Sequence, residues 1–328
     1  MTLDLKLETS EEHKHPRTYH VPVMLPEAIE ALQVRAEGVY IDATLGGGGY
    51  AEAICQSLTV LGGGKLFAFD TDPNAIEFAS KRLARFGEML TIVPENFGDL
   101  RESLAERGTE HISGIVYDLG VSSNQLDTTS IGLSYRVEAP LDMRLDPRLP
   151  RTAYDVVNTE EANALKRILR LYGEEPQAGP IVRRIDEARS RAPIATTSEL
   201  AAIVGRGIRE DKRSAVLSRV FQALRIEVNG ELENLGRSLR SAIEMTSKGG
   251  RIVVISYHSL EDRIVKDIFQ TESAPKSEPG SVIGLRESID SSRATLRLIT
   301  RKPMIPTDEE VERNVRARSA KMRIAERV

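Results

Sequence analysis

Two kinds of residue in this chain are spaced as a cofactor site would need them: a run of glycines, and acids at the ends of apolar segments. Val39-Tyr-Ile-Asp-Ala-Thr-Leu-Gly-Gly-Gly-Gly-Tyr50 opens as a short β-branched run and closes on Gly46, Gly47, Gly48 and Gly49. Glycine turns with positive φ and lets a ligand approach without a Cβ in the way. Ala51, Ile54, Cys55 and Leu58 follow at helical spacing, so the next helix would aim its N-terminal N–H groups at that ligand. Gly46, Gly48 and Ala51 fit a G-x-G-x-x-A spacing, which alone is a weak signal. A second apolar run, Lys65-Leu-Phe-Ala-Phe-Asp-Thr-Asp72, strengthens it, because Asp70 stands 22 residues after Gly48, where an acid reaches a ribose hydroxyl. A surface aspartate after an ordinary turn is the plainer alternative; the two features together favour a nucleoside-cofactor site.

Other candidates for chemistry also fall at strand ends. Asp118-Leu-Gly-Val-Ser-Ser-Asn-Gln125 places a carboxylate and short polar groups where cofactor would meet substrate. Acceptors of this kind suit a nucleobase amine, whose lone pair is delocalised into the ring until its N–H groups are hydrogen-bonded. Asp118, Ser122, Ser123 and Asn124 are therefore the catalytic candidates, although the last three also read as loop and cap residues. His258, in Ser256-Tyr-His-Ser259, could assist proton loss, but a strand-end histidine is more often an orienting or packed residue. Phe97 could pack on a flat cofactor base or simply belong to the core. No metal site is expected: His13, His15 and His20 join no carboxylate cluster, and a single cysteine excludes a cysteine-cluster zinc site.

The elements that must carry these residues alternate. Strands are expected at about 39–42, 65–70, 90–93 and 114–120, with helices at 26–32, 51–58, 73–86 and 100–107, which is a parallel sheet with right-handed crossovers. The pattern breaks after about residue 126. Helical segments follow at 153–158, 160–172, 176–190, 198–204 and 212–227, with no strand among them. A helix at 231–246 and a strand at 251–257 resume the rhythm. Residues 271–293, rich in Ser, Pro, Glu and Gly, read as a mobile loop, and two late alternating segments, 296–300 and 321–325, should pair antiparallel at a sheet edge. Residues 1–126 and 227–328 thus form two parts of one sheet domain, with 1–19 a mobile arm and 127–226 an inserted all-helical domain. The expected class is α/β, Rossmann-like, with a mostly parallel seven-stranded sheet. Five parallel strands and an antiparallel finish favour methyl transfer over hydride transfer, by fold analogy.

Composition narrows the setting. At 328 residues the chain needs no disulfides to bury a core. One cysteine suits a reducing compartment, and no apolar run approaches a membrane span, so the cytoplasm is the default. The net charge of −4 does not itself suggest nucleic acid. Its distribution is uneven: residues 144–240 hold 18 Lys and Arg against 14 Asp and Glu, and residues 313–328 hold six against one.

Taken in order, several blocks resemble the bacterial 16S ribosomal RNA (cytosine-N4)-methyltransferases of the RsmH/MraW type over nearly the whole chain. They are His20-Val-Pro-Val-Met-Leu25, Asp42-Ala-Thr-Leu-Gly46, Asp118-Leu-Gly-Val-Ser-Ser123, Pro140-Leu-Asp-Met-Arg144, Tyr172-Gly-Glu-Glu175, Phe221-Gln-Ala-Leu-Arg-Ile-Glu-Val-Asn229, Ser256-Tyr-His-Ser-Leu-Glu-Asp-Arg263 and Arg316-Ala-Arg-Ser-Ala-Lys321. The resemblance implies the class I methyltransferase fold with a helical substrate-recognition insertion, S-adenosyl-L-methionine as methyl donor, and a decoding-centre cytosine of 16S RNA in the small ribosomal subunit as substrate. It implies that Gly48, Gly49, Tyr50, Asp70, Phe97, Asp118 and Gln125 hold the cofactor. The family usually has histidine where this chain has Tyr50. Arg144, Arg183, Arg184, Arg213, Arg225, Arg316 and Arg318 are the candidates for RNA phosphates; for each one alone, a salt-bridged surface is the commoner role. No membrane partner is expected, and a homodimer is compatible with such a chain. Two other classes compete. A dehydrogenase would bind nicotinamide, and a non-catalytic ribosome-assembly factor would bind neither cofactor.

Overall fold

The computed structural model describes residues 22–121, 125, 131–274 and 294–328. The expected arm at 1–19, the three histidines at 13, 15 and 20, Ser122, Ser123 and Asn124, and residues 275–293 of the expected loop lie outside them.

A seven-stranded sheet in the order β3-β2-β1-β4-β5-β7-β6 carries the molecule. Its strands are β1 (Val39–Asp42), β2 (Lys65–Phe69), β3 (Leu90–Val93), β4 (Ile112–Asp118), β5 (Thr246–Ser256), β6 (Leu296–Leu298) and β7 (Lys321–Arg327). The first five pair in parallel, while β7 runs antiparallel to both β5 and β6. Alternation along the central strands fills two apolar layers. Tyr40, Val116, Val253 and Ile255 face one layer, and Ile41, Ile115, Tyr117, Ile252 and Val254 face the other. The first layer is covered by α1 (Leu25–Leu32), α2 (Gly49–Leu61) and α3 (Pro73–Leu83). The second is covered by α4 (Leu100–Glu106), α10 (Glu231–Met245) and α11 (Ser259–Ser273).

Between β4 and β5 the chain forms α5 (Ala153–Thr159), α6 (Ala162–Leu171), α7 (Ala178–Arg189), α8 (Thr197–Gly205) and α9 (Glu210–Asn229). These helices pack around a separate apolar cluster that includes Val156, Leu169, Ile181, Leu200, Val220 and Leu224. Their starts are written locally: Thr152 with Asp155, and Thr196 with Glu199, form reciprocal capping boxes. α9 runs unbroken through residue 226 and stops at Gly230, whose φ of +60° ends one helix and opens the next.

Three elements differ from the sequence expectation. β5 begins at Thr246 rather than 251, with a register irregularity where Ile112 and Gly114 of β4 meet it. α11 was not expected, and it extends into the segment read as loop, as far as Ser273. Ahead of β7 the chain forms a short helix, α12 (Asp308–Arg313), and a 3-10 turn, Val315–Ser319. Among the described residues no helix is long and apolar enough to cross a membrane.

Asn229, at the end of α9, pins the irregular 140–149 loop. Its Oδ1 accepts from Leu145 N at 2.8 Å and its Nδ2 donates to Met143 O at 2.8 Å. Met143 needs that support because its φ is +62°. Replacing Asn229 with alanine leaves those buried groups unpaired. Chemical denaturation should show a loss of about 2 kcal/mol, and proteolysis should become faster within 140–149.

Candidate functional site

The parallel strands deliver their acids to one edge. There the main chain is tied across strands before any side chain takes part: Leu45 N donates to Phe69 O at 2.8 Å and Leu119 N to Ile255 O at 2.9 Å. Gly46 and Gly48 take φ of +48° and +79°, and a Cβ on Gly48 would come within 2.9 Å of Leu83 Cδ1. The turn therefore seats α2 closely on α3. A Cβ on Gly46 would meet nothing nearer than Thr44 O at 3.9 Å, so the space in front of the turn is open.

That space is a cavity of about 540 Å³, a volume typical of small-molecule sites. It is lined by Gly46, Gly47, Gly49, Asp70, Asn96 and Phe97 from the glycine turn and the ends of the sheet, and by Gln222, Arg225, Asn229, Glu231, Tyr257 and His258 from the later helices and strand end. Asp118 also lines it.

Asp70 accepts from Gly46 N at 2.8 Å and from Asp72 N at 2.9 Å, so its carboxylate is braced by backbone donors. Burial nevertheless pushes its pKa up to about 6. Gln125 donates to Asp72 Oδ2 at 3.0 Å rather than to Asp70. Phe97 stands edge-on to Tyr117, with centroids 5.9 Å apart. Tyr50 lines the cavity, but its hydroxyl donates to Val23 O and so ties α2 to the segment before α1.

Asp118 is held from two sides. Its main-chain N donates to Thr44 Oγ1 at 2.8 Å, and its Oδ1 accepts from the Tyr257 hydroxyl at 2.6 Å. Burial raises its pKa to about 7 against the opposing Tyr257 hydrogen bond, and nearby Asp42, Glu261 and Glu310 push the same way. Asp42 itself is buried and is raised to about 7, first by desolvation.

His258 is placed as the N-cap of α11. Glu261 N donates to its Nδ1 at 3.4 Å, while Glu261 Oε2 accepts from Tyr257 N at 2.8 Å and His258 N at 3.3 Å. His258 also lines the cavity. Ligand-type atoms of Glu231, His258 and Glu261 lie within 4.8 Å of one another. The cation beside them is Arg225, which donates to both Glu231 oxygens at 2.8 and 2.9 Å. That guanidinium balances one of the two carboxylates, and all three residues line the cavity.

The arginines separate. Arg144 grips Asp142 with two nitrogens, at 2.7 and 2.9 Å, and reaches Leu149 O at 2.8 Å, so it staples its own loop. Arg184 donates to Ile203 O and Val204 O and thereby caps the end of α8. Arg225 has only 14% of its side chain exposed. Each of the three has partners within the protein: local ones for Arg144 and Arg225, and a helix end brought up by folding for Arg184. Arg183 is exposed, and Arg213 pairs with Glu210 at 3.0 Å on the surface. Arg316 and Arg318 line the cavity, brought there by the turn before β7. Sequence reasoning missed Tyr257, Glu261 and Glu310. The last accepts from Met24 N at 2.6 Å and so fastens α12 to the residue before α1.

The sheet order with its antiparallel seventh strand, and the glycine turn at the carboxyl ends of its strands, are those of the class I S-adenosylmethionine-dependent methyltransferase fold. The chain matches the MraW methylase family over residues 17–328, and it belongs to that family. Its cofactor is S-adenosylmethionine. Solved structures it is similar to include an rRNA methylase from Streptococcus thermophilus, at 11% identity and a TM-score of 0.40, covering 92% of this chain and 95% of that one. A SAM-dependent O-methyltransferase from Thermotoga maritima is similar at 10% identity and a TM-score of 0.40, covering 93% and 64%. NSun6 from Pyrococcus horikoshii with SFG is similar at 13% identity and a TM-score of 0.42, covering 98% and 57%. At such scores the assignment rests on the family alone.

The residues present fit the cofactor: an open glycine turn, a braced acid and an aromatic ring line one continuous space. Asp70→Ala should weaken S-adenosylmethionine binding by roughly tenfold or more, measured by calorimetry. Tyr50→Phe should leave that affinity within about twofold and lower the melting temperature, because its hydroxyl serves Val23.

Proposed function

We propose that this protein transfers a methyl group from S-adenosylmethionine to the exocyclic N4 of a decoding-centre cytosine in 16S ribosomal RNA of the small subunit. The carrying observation is Asp118, a strand-end acceptor that lines the same cavity as the glycine turn and is held by Tyr257. The family supports methyl transfer, and the block-by-block resemblance described above supports the RNA and the base.

In this reading the glycine turn, Asp70 and Phe97 hold the cofactor, with Asp70 accepting from ribose hydroxyls and Phe97 packing beside the adenine. The cofactor supplies an electrophilic methyl on a sulfonium. Asp118 accepts an N–H of the target amine, which frees the nitrogen lone pair and lines it up with the methyl carbon. With the cofactor bound, the N–CH3 bond would form as the S–CH3 bond breaks, the electron pair staying on sulfur, and the nitrogen would pass its proton to Asp118 or to water. Methylation at a pyrimidine ring carbon through a thiolate adduct has no nucleophile here. The single cysteine, Cys55, is buried in the core on α2, and burial raises its thiol to about 12.

The helical unit at 127–226 serves as the substrate-recognition domain, and the base reaches the cavity by leaving its stack. Arg183, Arg213 and Arg318 are the exposed candidates for phosphates, with Arg316 half-buried beside the cavity, which would make affinity fall with salt.

The test is methyl transfer from labelled S-adenosylmethionine to small subunits from cells lacking the protein, with naked 16S RNA alongside and nucleoside analysis after. N4-methylcytidine is the expected product, and label on any other nucleoside would overturn the substrate assignment. The pH profile follows from Asp118. Its pKa is raised to about 7, so the ionised acceptor is lost as pH falls through that value. Transfer should therefore drop by roughly tenfold per pH unit below it. Asp118→Asn should lose that limb and lower the rate by roughly a hundredfold at neutral pH.

A further inference from the structure

We infer that Tyr257 is a positioning residue: its hydroxyl fixes the orientation of the Asp118 carboxylate for the transfer step. The inference rests on the reading of Asp118 given above. The hydrogen bond to Asp118 Oδ1, at 2.6 Å, is short enough to be charge-assisted. Among the described residues no hydrogen bond is made to the other oxygen, Oδ2, and Asp118 lines the cavity. One carboxylate oxygen is thus committed to the protein while the other is left for a ligand.

The donor is itself held in place. Tyr257 N donates to Glu261 Oε2 at 2.8 Å, and Glu261 is 3% exposed. The ring packs against the apolar layer under α2. On the other side lies Gly120, with φ of +96°, where a Cβ would touch Tyr257 Cδ2 at 3.4 Å. That glycine belongs to the turn directly after Asp118, so acceptor and donor are packed against each other through the backbone as well as through the hydrogen bond.

The charges around Asp118 make a donor necessary. Asp42 reaches it from β1, Glu261 from α11 and Glu310 from α12, and all three disfavour its ionisation. Tyr50 from α2 also lies within its field. Tyr257 is the neighbour whose side chain stabilises the ionised form. Its own ionisation is disfavoured by burial and by Asp118, so it remains a donor over the working range. Removing the hydroxyl withdraws that stabilisation, and the Asp118 pKa must then rise.

Tyr257→Phe keeps the ring, its packing and the Glu261 contact. We expect kcat to fall roughly tenfold, with KM for cofactor and RNA unchanged. The acid limb of the pH profile should move upward by about one unit. In an Asp118→Asn background the same change should have no further effect, because Tyr257 acts through that carboxylate. A Tyr257→Phe enzyme with wild-type kcat and pH limb, or an equal loss in the Asp118→Asn background, would overturn the proposal. A carboxyl titration by 13C NMR of aspartate-labelled protein reads the same coupling without RNA. The signal missing from Asp118→Asn should titrate at higher pH in Tyr257→Phe, and an unmoved midpoint would also overturn the proposal. Label on a different base would sink the cytosine assignment while leaving both readouts of Tyr257 intact.

Discussion

Three carboxylates, Asp42, Asp70 and Asp118, are drawn out of bulk water at the carboxyl ends of the adjacent strands β1, β2 and β4, and the site depends on how they are braced. Burial raises all three, to about 7, 6 and 7. Each starts from 3.8, so the stability each confers is complete below that value and is lost as pH rises through the folded pKa. The fold carries this cost at neutral pH and offsets it with local donors: Thr44 N for Asp42, Gly46 N and Asp72 N for Asp70, and the Tyr257 hydroxyl for Asp118. A rigid sheet and a glycine turn are what bring those donors within reach.

The second constraint is the join between sheet and helical unit. Asn229, Gly230 and Glu231 form one short segment that ends α9, turns the chain and begins α10. Asn229 holds the 140–149 loop against the cavity, and Glu231 neutralises Arg225 inside its wall. Residues ahead of β7 contribute as well: Glu310 accepts from Met24 N, and Arg316 and Arg318 line the cavity. The cavity is thus assembled from parts far apart in sequence.

Much of this was legible in the residues. Strand, glycine turn and Asp70 were readable because each is a local pattern, and Asp118 because it ends a strand. The antiparallel finish was readable from two late alternating segments. What stayed hidden depends on partners brought together by folding. Arg184 looks like a surface cation, and only the fold shows that it donates to the carbonyls at the end of α8. His258 reads as either a base or an orienting residue, and that it caps a helix depends on an unexpected helix following it. That helix carried a fair signal in Leu260, Ile264, Val265, Ile268 and Phe269, whose spacing is helical. Tyr257 gave none, since a tyrosine after a strand does not reveal which acid its hydroxyl will meet.

The central claim is that one cavity holds cofactor and base on opposite sides of Asp118. It is tested most directly by a crystal structure of the protein with S-adenosylhomocysteine and cytidine. The account predicts the nucleoside cofactor along Gly46, Asp70 and Phe97, and cytidine on the Gln222 and Asn229 side with its amine at Asp118. Cytidine bound away from Asp118, or the cofactor on the helical side, would contradict it.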